Sequence, residues 1–204
     1  MDVTVKILGL SGSLRKDSAH CAVLRTIAEQ LPPSVTLNLH ELHDVPPYNE
    51  DLDGDATPSA VLALREAVRN ADAVLIGSPE YNHGMSGVLK NALDWISRPH
   101  GKSTLTGKPV LTFTASPAFT GGVRAHQQLN ETLVAIQAVQ VVYPQIVIGN
   151  VGSKLKDGLL VDKAAISFLM DGVIRLVQRI YNWPTQETSR NCCVQVSSDF
   201  NPAI

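Results

Sequence analysis

Short apolar segments alternate with longer segments of helical periodicity along the chain, which is the pattern of a parallel α/β sheet. The third apolar segment, residues 73–77, is apolar throughout, as expected of a central strand covered on both faces. Pro144 interrupts the fifth, and because proline is tolerated at a sheet edge but not mid-sheet, we expect that strand at an edge. The candidate strands are residues 5–10, 35–39, 73–77, 109–114 and a segment within 139–148.

Between the candidate strands, apolar residues recur at the three- and four-residue spacing of helices. Pro32 ends the first of these helices. Five strand–helix units in about 180 residues predict a doubly wound α/β domain. Of its two common strand orders we expect the flavodoxin-like one, 2-1-3-4-5, with a five-stranded parallel sheet in a three-layer α/β/α sandwich. The apolar stripe of the first helix is Cys21, Leu24, Ala28 and Leu31, and the other stripes lie within 61–68, 88–96, 129–136 and 165–180.

One domain over residues 1–183 and a C-terminal tail over 184–204 account for the whole chain of 204 residues. The stretch 41–58 is rich in Asp, Pro and Gly and predicts one long surface loop. The tail carries little periodicity, so we expect it to be either mobile or laid over a neighbour. With 44% hydrophobic and 18% charged residues, the composition is that of a globular protein that needs no disulfide or metal for stability.

Charge and cysteine content exclude several classes of protein. Lys and Arg number 17 against 19 Asp and Glu, and the formal charge of −2 argues against a nucleic-acid binder. No apolar run reaches the ~18 residues needed to span a membrane, and residues 1–10 lack the features of a signal peptide. Cys21, Cys192 and Cys193 match neither a disulfide scaffold nor a zinc site. We therefore expect a cytoplasmic protein without a metal site and without a membrane partner.

The loop after the first strand, residues 9–20 and here called loop A, has the composition of a phosphate-binding loop. Its hydroxyls and the guanidinium of Arg15 can donate hydrogen bonds to an anion, and the following helix adds a partial positive charge. Such a serine-rich loop suits a monophosphate end group, such as that of flavin mononucleotide (FMN). The alternative is an ordinary polar turn in which Ser18 caps the following helix. The hydroxyls of loop A belong to Ser11, Ser13 and Ser18.

Two other phosphate motifs do not fit the chain. A Rossmann loop needs further glycines in register after Gly9 and Gly12, and none follows. The string Gly-Lys-Ser at 101–103 resembles the end of a Walker loop. However, Ile96 occupies the position of its first glycine, and a helix rather than a strand precedes it.

The loop after the third strand, residues 78–87 and here called loop B, suits the edge of a planar heterocycle. Pro79 stiffens the exit from the strand, and Asn82-His83-Gly84 is a sequence that tolerates positive φ. A loop of this kind turns backbone N–H and C=O groups outward, where a ring edge can bind them. Ser86 can cap the next helix. Taken singly, each of these residues also has a purely structural explanation.

Together, loops A and B resemble those of the NAD(P)H-dependent FMN reductase family, which includes bacterial chromate, quinone and azo-dye reductases. The matching motifs are Gly-Ser-Leu-Arg-Lys-Asp-Ser at 12–18, Pro-Glu-Tyr-Asn-His-Gly at 79–84, the segment 87–95, and Ser-Pro at 116–117 with Gly-Gly-Val-Arg at 121–124. The resemblance implies that the FMN phosphate is bound by Ser11, Ser13, Leu14, Arg15, Ser18 and His20. It implies that the flavin ring is lined, largely through the main chain, by Pro79, Glu80, Tyr81, Asn82 and His83, with Ser116 at its other edge.

The chain departs from the family pattern at two positions. The family usually has asparagine where this chain has His20, so we expect one phosphate contact to be altered or made pH-sensitive. The common Gly-x-Pro-Gly is here Gly-Met-Ser-Gly at 84–87, so we expect a looser turn beside the ring. The resemblance also implies a homodimer or homotetramer with the flavin near the interface.

The activity that the resemblance implies is hydride transfer from NADPH or NADH to bound FMN, and from there to a small-molecule acceptor. Quinones, azo dyes, chromate and free flavin all fit as acceptors. The flavin carries this chemistry, so we expect no catalytic side chain. Two alternatives stay open: a flavodoxin-type electron carrier that binds FMN without nicotinamide turnover, and a phosphate-binding module without flavin.

Overall fold

The structure is a computed structural model that describes residues 4–181. The predicted tail, residues 184–204 with Cys192 and Cys193, lies outside the described residues. Short 3₁₀ turns occupy Glu50–Leu52 and Val151–Lys154. In chain order the elements are β1 (Val5–Ser11), α1 (Ala19–Gln30), β2 (Val35–His40), α2 (Ser59–Asn70), β3 (Ala73–Ser78), β4 (Glu80–Tyr81), β5 (Gly84–Met85), α3 (Gly87–Ile96), β6 (Pro109–Ala115), α4 (Val123–Ala135), β7 (Val139–Gln140), β8 (Ile146–Ile148), β9 (Leu155–Lys156), β10 (Leu159–Leu160) and α5 (Lys163–Tyr181).

The central sheet is parallel, in the order β2-β1-β3-β6, and two short strands share the position beyond β6. β7 pairs with the start of β6, where Val139 lies opposite Pro109, and β8 pairs with its end, where Ile146 lies opposite Phe113. Pro144 stands between them and has no N–H to donate to a ladder. The predicted order 2-1-3-4-5 and the edge position of the fifth strand are therefore confirmed, with that strand divided in two.

Helices cover both faces of the sheet. In β3, Ala73 and Leu75 belong to the core that α1 and α5 complete, whereas Val74 and Ile76 belong to the core on the side of α2, α3 and α4. Because successive strand residues point to opposite faces, a strand covered on both sides must be apolar at every position. With both faces covered, the carboxyl edge of the sheet is the place where loops A and B lie open to a ligand.

The buried face of α1 differs from the predicted stripe. Its fully buried core residues are Val23, Leu24 and Ile27, and His20 is buried with them, whereas Cys21 is only half-buried. The true face therefore runs one position earlier along the helix than the predicted stripe. Both sets of positions have helical spacing, and the polar His20 hid the correct set from a hydrophobicity pattern.

The long loop 41–58 lies at the surface, as predicted, but α2 and α3 hold it in place. The carbonyl oxygen of Pro46 accepts hydrogen bonds from Asn91 Nδ2 at 2.9 Å and from Trp95 Nε1 at 2.8 Å. Arg65 on α2 donates to Asp53 Oδ1 at 2.8 Å. Trp95 itself is fully buried.

Two small hairpins were not predicted. β4 pairs with β5 inside loop B, and β9 pairs with β10 before α5. Each of these strands has only two residues, which is too short for an alternating pattern to stand out in the sequence.

Candidate functional site

The three serines of loop A are bonded to one another at the carboxyl end of β1. Ser11 Oγ accepts a hydrogen bond from the Ser13 N–H at 3.2 Å and lies 3.4 Å from Ser18 Oγ. Ser18 Oγ accepts from the N–H of Cys21 at 3.3 Å and so caps α1. The capping role expected of Ser18 is thus present, and it sets a cluster of hydroxyls at the positive end of a helix.

Loops A and B are joined through Gly12 and Ser86. Ser86 Oγ donates to the carbonyl oxygen of Gly12 at 2.6 Å and accepts from the N–H of Leu89 at 3.2 Å, which caps α3. A Cβ on Gly12 would lie 2.8 Å from Ser86 Oγ and 3.2 Å from Pro79 Cδ, so a larger residue does not fit there. The structure therefore corrects the expectation of a looser turn, because Ser86 fixes loop B to loop A.

Loop B folds into the β4–β5 hairpin, whose two-residue turn is Asn82-His83. Their φ angles are 50° and 68°, so both residues are left-handed, as in a type I′ turn. Asparagine is among the residues that adopt this conformation most readily. Tyr81 is 52% exposed and the turn is open to solvent, so the hairpin presents its outer side at the rim of the site.

The hairpin is anchored to α4 by Glu80 and Gln128. Glu80 Oε2 accepts from the backbone N–H groups of Arg124 at 2.9 Å and of Ala125 at 3.1 Å. α4 has no side-chain cap of its own, so this carboxylate supplies the cap from another segment. Gln128 Oε1 accepts from the N–H of Met85 at 2.7 Å. The Glu80 side chain is thus committed to α4, and only its main chain is available to a ligand.

The loop after β6, residues 116–124 and here called loop C, completes the rim. Ser116 is buried, its N–H donates to the carbonyl oxygen of Ile148 at 3.0 Å, and its Oγ accepts from the N–H of Ala118 at 3.1 Å. Gly122 has a φ of 90° at the start of α4. A Cβ there would lie 3.4 Å from the Cβ of Glu80, so loops B and C are in close contact.

Comparison with known proteins shows which family has these three loops. The family model of NADPH-dependent FMN reductases matches residues 5–153. An NAD(P)H-dependent FMN reductase of Pseudomonas aeruginosa is 39% identical over 166 residues, which are 80% of this chain and 89% of that protein. The chain belongs to the NADPH-dependent FMN reductase family.

Other members and a solved structure agree with this assignment. A quinone reductase of Escherichia coli is 36% identical over 173 residues, covering 83% of this chain and 92% of that protein. The solved structure of FerB, an NAD(P)H:(acceptor) oxidoreductase flavoenzyme of Paracoccus denitrificans, has a TM-score of 0.76 and 33% identity, covering 87% of this chain and 98% of that one. The flavodoxin-like fold, the FMN cofactor and the NAD(P)H-dependent oxidoreductase activity inferred from the sequence are thereby confirmed.

Loop A offers the donors that the phosphate of FMN requires. Within residues 4–181, nothing accepts a hydrogen bond from the Arg15 guanidinium or from the backbone N–H of Lys16 or Asp17. The hydroxyl of Ser13 accepts only a long contact of 3.4 Å from the Arg15 N–H. Unpaired cationic and N–H donors beside a helix N-terminus are the chemistry of a phosphate site. The residues present therefore fit the cofactor of this family.

His20 is buried at the start of α1. Its side chain is buried beneath loop A, 5.8 Å from the ring of Phe113, and its Nε2 accepts from the N–H of Ala115 at 3.3 Å. Burial lowers the pKa of His20 to about 4, and backbone hydrogen bonds with Ser78 and Ala115 offset only part of that effect. A neutral imidazole in this place is bonded to the backbone of β3 and β6. The structure places His20 beneath loop A, and its contact with the FMN phosphate stays a prediction.

Several other sequence features lie outside the site or contribute only main chain. The Leu14 side chain is apolar and 40% exposed, and its carbonyl oxygen lies 3.2 Å from His43 Nε2. The Gly-Lys-Ser string at 101–103 precedes β6 and so lies at the opposite, amino edge of the sheet.

Among residues 4–181, no cluster of His, Cys, Asp or Glu is placed to hold a metal ion. In the same part of the chain, no helix combines the length and apolar character needed to cross a bilayer.

Sequence reasoning missed the residues that connect the loops. Ser78 Oγ accepts from the N–H of Ser86 at 3.3 Å and donates to the carbonyl oxygen of Pro79 at 2.9 Å. Gln128 accepts its bond from the hairpin residue Met85, 43 residues earlier in the chain. The predicted capping role of Ser86 was the one available signal, and it did not reveal the bond to Gly12. Contacts between distant segments leave no local pattern in a sequence.

Proposed function

We propose that the protein is an FMN-dependent NAD(P)H:quinone oxidoreductase, with the FMN phosphate in loop A and the flavin ring along loop B. The bond of 2.6 Å from Ser86 Oγ to the Gly12 carbonyl oxygen carries the proposal. It fixes an anion-binding loop and a ring-lining loop to each other at the carboxyl edge of neighbouring strands. Such a pair of loops suits an extended ligand with one phosphate end and one planar end.

In this proposal the phosphate is bound by Ser13, Arg15 and Ser18. The two hydroxyls donate to phosphate oxygens, and the exposed guanidinium of Arg15 adds a charge-assisted contact. Ser11 shapes the loop through its bond to the Ser13 N–H, and Leu14 contributes its main chain. His20 supports the loop from below through the backbone of Ala115.

The ring lies against the main chain of loop B, with Ser116 of loop C at its other edge. The lining residues are Pro79, Glu80, Tyr81, Asn82 and His83. Because the Glu80 carboxylate is bonded to two N–H groups of α4, it is held away from the ring. The rigid type I′ turn keeps backbone groups in place for hydrogen bonding to the heterocycle.

No side chain of the site is proposed as an acid or base. When bound, FMN supplies the hydride-accepting and electron-donating chemistry. The Glu80 carboxylate is used in capping α4, and the neutral His20 imidazole is buried below the loop. The residues of this chain bind the cofactor, orient it and leave one side of loop B open for the nucleotide and the acceptor.

A quinone is the proposed acceptor because the Escherichia coli relative is named a quinone reductase. The exposed ring of Tyr81 at the rim of loop B also suits a planar, apolar molecule.

A second copy of the chain is proposed to cover the open side of loop B, as a homodimer or homotetramer. Two aromatic residues at the rim, Tyr81 at 52% and Phe119 at 83% exposure, offer a surface for it. The proposed location is the cytoplasm, which supplies NAD(P)H.

Anaerobic mixing of the FMN-loaded protein with NADPH or NADH tests this function. Loss of the oxidised flavin absorbance, followed by its recovery on addition of a benzoquinone, supports the proposal. A flavin that stays oxidised with both nucleotides indicates an electron carrier instead. A colourless protein that does not take up FMN indicates a phosphate-binding module.

A further inference from the structure

A cavity of about 500 Å³ lies between α2 and the segment 98–104, which follows α3. It is here called the amino-edge cavity, because that segment precedes β6 and so lies at the amino edge of the sheet. The ten residues of α3, about 15 Å in length, separate the segment from Ser86, which joins loops A and B. The volume is within the range of small-ligand sites. FMN bound along loops A and B therefore leaves the amino-edge cavity free.

Two of the cations in the wall of this cavity are already paired. Arg65 donates to Asp53 Oδ1 at 2.8 Å, and Arg69 forms an ion pair with Glu66. Glu66 is the carboxylate in the wall, and its other oxygen accepts from Asn70 Nδ2 at 2.7 Å. Both oxygens of that carboxylate are thus bonded within α2, and neither is directed to another cation.

Arg98 and Lys102 are the remaining cations of the wall, and no carboxylate neutralises them. In the part of the chain from residue 4 to residue 181, their side chains form no ion pair and no hydrogen bond. The guanidinium carbon of Arg98 lies 5.5 Å from the centre of the Tyr48 ring. In a chain of net charge −2, two unpaired cations in one cavity indicate an anionic ligand.

Buried polar atoms around the cavity give a second, independent indication. Arg98 Nε, Thr104 Oγ1 and Tyr48 Oη are buried, and none of them has a hydrogen-bond partner among residues 4–181. Arg98 and Thr104 line the cavity, and the Tyr48 ring packs against Arg98. A buried donor without an acceptor costs free energy. All three atoms can donate, so a ligand rich in acceptor oxygens suits this group of side chains.

We propose that the amino-edge cavity binds a phosphate group. The guanidinium of Arg98 and the ammonium of Lys102 supply charge-assisted hydrogen bonds, and the Thr104 hydroxyl supplies a neutral one. A phosphate ester offers three acceptor oxygens and about two negative charges, which matches two cations and a hydroxyl better than a carboxylate does. Leu62 and Ala63 form an apolar part of the wall, beside which an organic portion of the ligand fits.

The proposal gives a role to a motif that the FMN site leaves unused. Lys102 is the lysine of the Gly-Lys-Ser string at 101–103, which does not follow a strand as a Walker loop does. Here the lysine acts with Arg98 from the same segment, and the ligand lies against α2 rather than at a helix N-terminus.

Calorimetric titration of the FMN-loaded protein with inorganic phosphate and with phenyl phosphate, in a phosphate-free buffer, tests the site without turnover. We expect a Kd at or below about 1 mM for at least one of the two probes. Lys102→Gln should weaken that binding at least about tenfold, the effect of one charge-assisted contact. Because the Lys102 side chain is exposed and unbonded, this variant should fold normally.

Arg98→Gln should weaken binding at least as much as Lys102→Gln. The matched control, Lys163→Gln, removes an exposed lysine at the start of α5, on the other face of the sheet, and should leave the affinity unchanged. The flavin absorbance should not change during the titration, because the ring is proposed to lie beyond the far end of α3.

The two probes distinguish the source of the phosphate. Tighter binding of phenyl phosphate assigns the cavity to a phosphate ester, and equal or tighter binding of inorganic phosphate assigns it to the free ion. Three results would overturn the inference. Neither probe binds the wild type; the affinity stays within about twofold in both Lys102→Gln and Arg98→Gln; or binding releases FMN, seen as a rise in flavin fluorescence, which places the phosphate in loop A.

Discussion

Ser86 Oγ donates to the carbonyl oxygen of Gly12 at 2.6 Å, across 74 residues of sequence. Ser86 Oγ also accepts from the N–H of Leu89, so one hydroxyl both caps α3 and joins the two loops of the proposed cofactor site. A proline at this position, as in the common family motif, has no hydroxyl to form that bond. In this chain, the distance between loops A and B therefore depends on a serine.

Ser86→Ala is expected to weaken both folding and FMN binding. Loss of the cap and of the bond to Gly12 should lower the free energy of unfolding by about 1–3 kcal/mol. FMN affinity should fall by about three- to tenfold, because loops A and B are no longer held together. Urea denaturation and flavin fluorescence titration measure the two effects. Ser153→Ala, which removes an exposed hydroxyl bonded only to its own turn, is the control. Unchanged FMN affinity in Ser86→Ala would show that the bond does not position the site.

Gly12→Ala is expected to disrupt the contact between the loops. The new methyl group would lie 2.8 Å from Ser86 Oγ and 3.1 Å from Leu89 Cβ, so one loop must move. Overpacking of this kind costs about 1–3 kcal/mol. Gly152→Ala is the matched control, because a Cβ at Gly152 meets no atom within 4 Å. The thermal unfolding temperature and the FMN uptake should change in Gly12→Ala and not in Gly152→Ala. Equal behaviour of the two variants would contradict the close contact of Gly12 with Ser86.

Acidification is expected to destabilise the protein through His20. Its pKa is lowered from 6.5 to about 4 in the folded state, so the unfolded chain takes up the proton first as the pH falls. Neutral His20 makes its full contribution to the free energy of unfolding above pH 6.5. That contribution is lost as the pH falls through about 4. The loss amounts to about 3 kcal/mol. Urea denaturation across this pH range should show the slope in the wild type and a smaller slope in His20→Asn.

His43→Asn serves as the control for that experiment, since this histidine is exposed. It should keep the acid-dependent slope of the wild type. If His20→Asn and the wild type lose stability in parallel, His20 is not the group that makes the site acid-sensitive.

Glu80→Gln is expected to loosen the attachment of the hairpin to α4. The amide keeps the shape but loses the charge that two N–H groups and the helix N-terminus favour. We expect a loss of about 1–2 kcal/mol in unfolding free energy. The absorption spectrum of bound FMN should also shift, because the ring is proposed to lie on that hairpin. Glu131→Gln, on the exposed side of α4, should change neither. A normal spectrum together with normal stability in Glu80→Gln would contradict the anchoring role.

The sequence predicted the parts of the molecule whose signal is local. Fully apolar strands such as 73–77 are recognisable because both faces of a central strand are buried. Pro144 marked the sheet edge because its missing N–H excludes it from a central ladder. Loops A and B were recognised from short motifs at a fixed spacing, and the positive φ angles of Asn82 and His83 agree with the turn chemistry of their sequence.

What the sequence did not predict depends on contacts between distant segments. The role of His20 follows from the backbone of Ala115, 95 residues away, and no pattern around His20 indicates that partner. The cap that Glu80 gives to α4 spans 44 residues. The register of α1 was wrong by one position because a buried polar residue belongs to its apolar face. These features arise when the loops meet at the sheet edge, so they become visible only in the fold.

The affinity of the protein for FMN and for riboflavin, measured by fluorescence titration in the wild type and in Arg15→Ala, tests the central claim most directly. The two flavins differ only in the phosphate that loop A is proposed to bind. We predict that the wild type prefers FMN and that Arg15→Ala loses about ten- to a hundredfold in FMN affinity, with little change for riboflavin. Equal binding of both flavins by the wild type, or an FMN affinity within about twofold of it in the variant, would contradict the account.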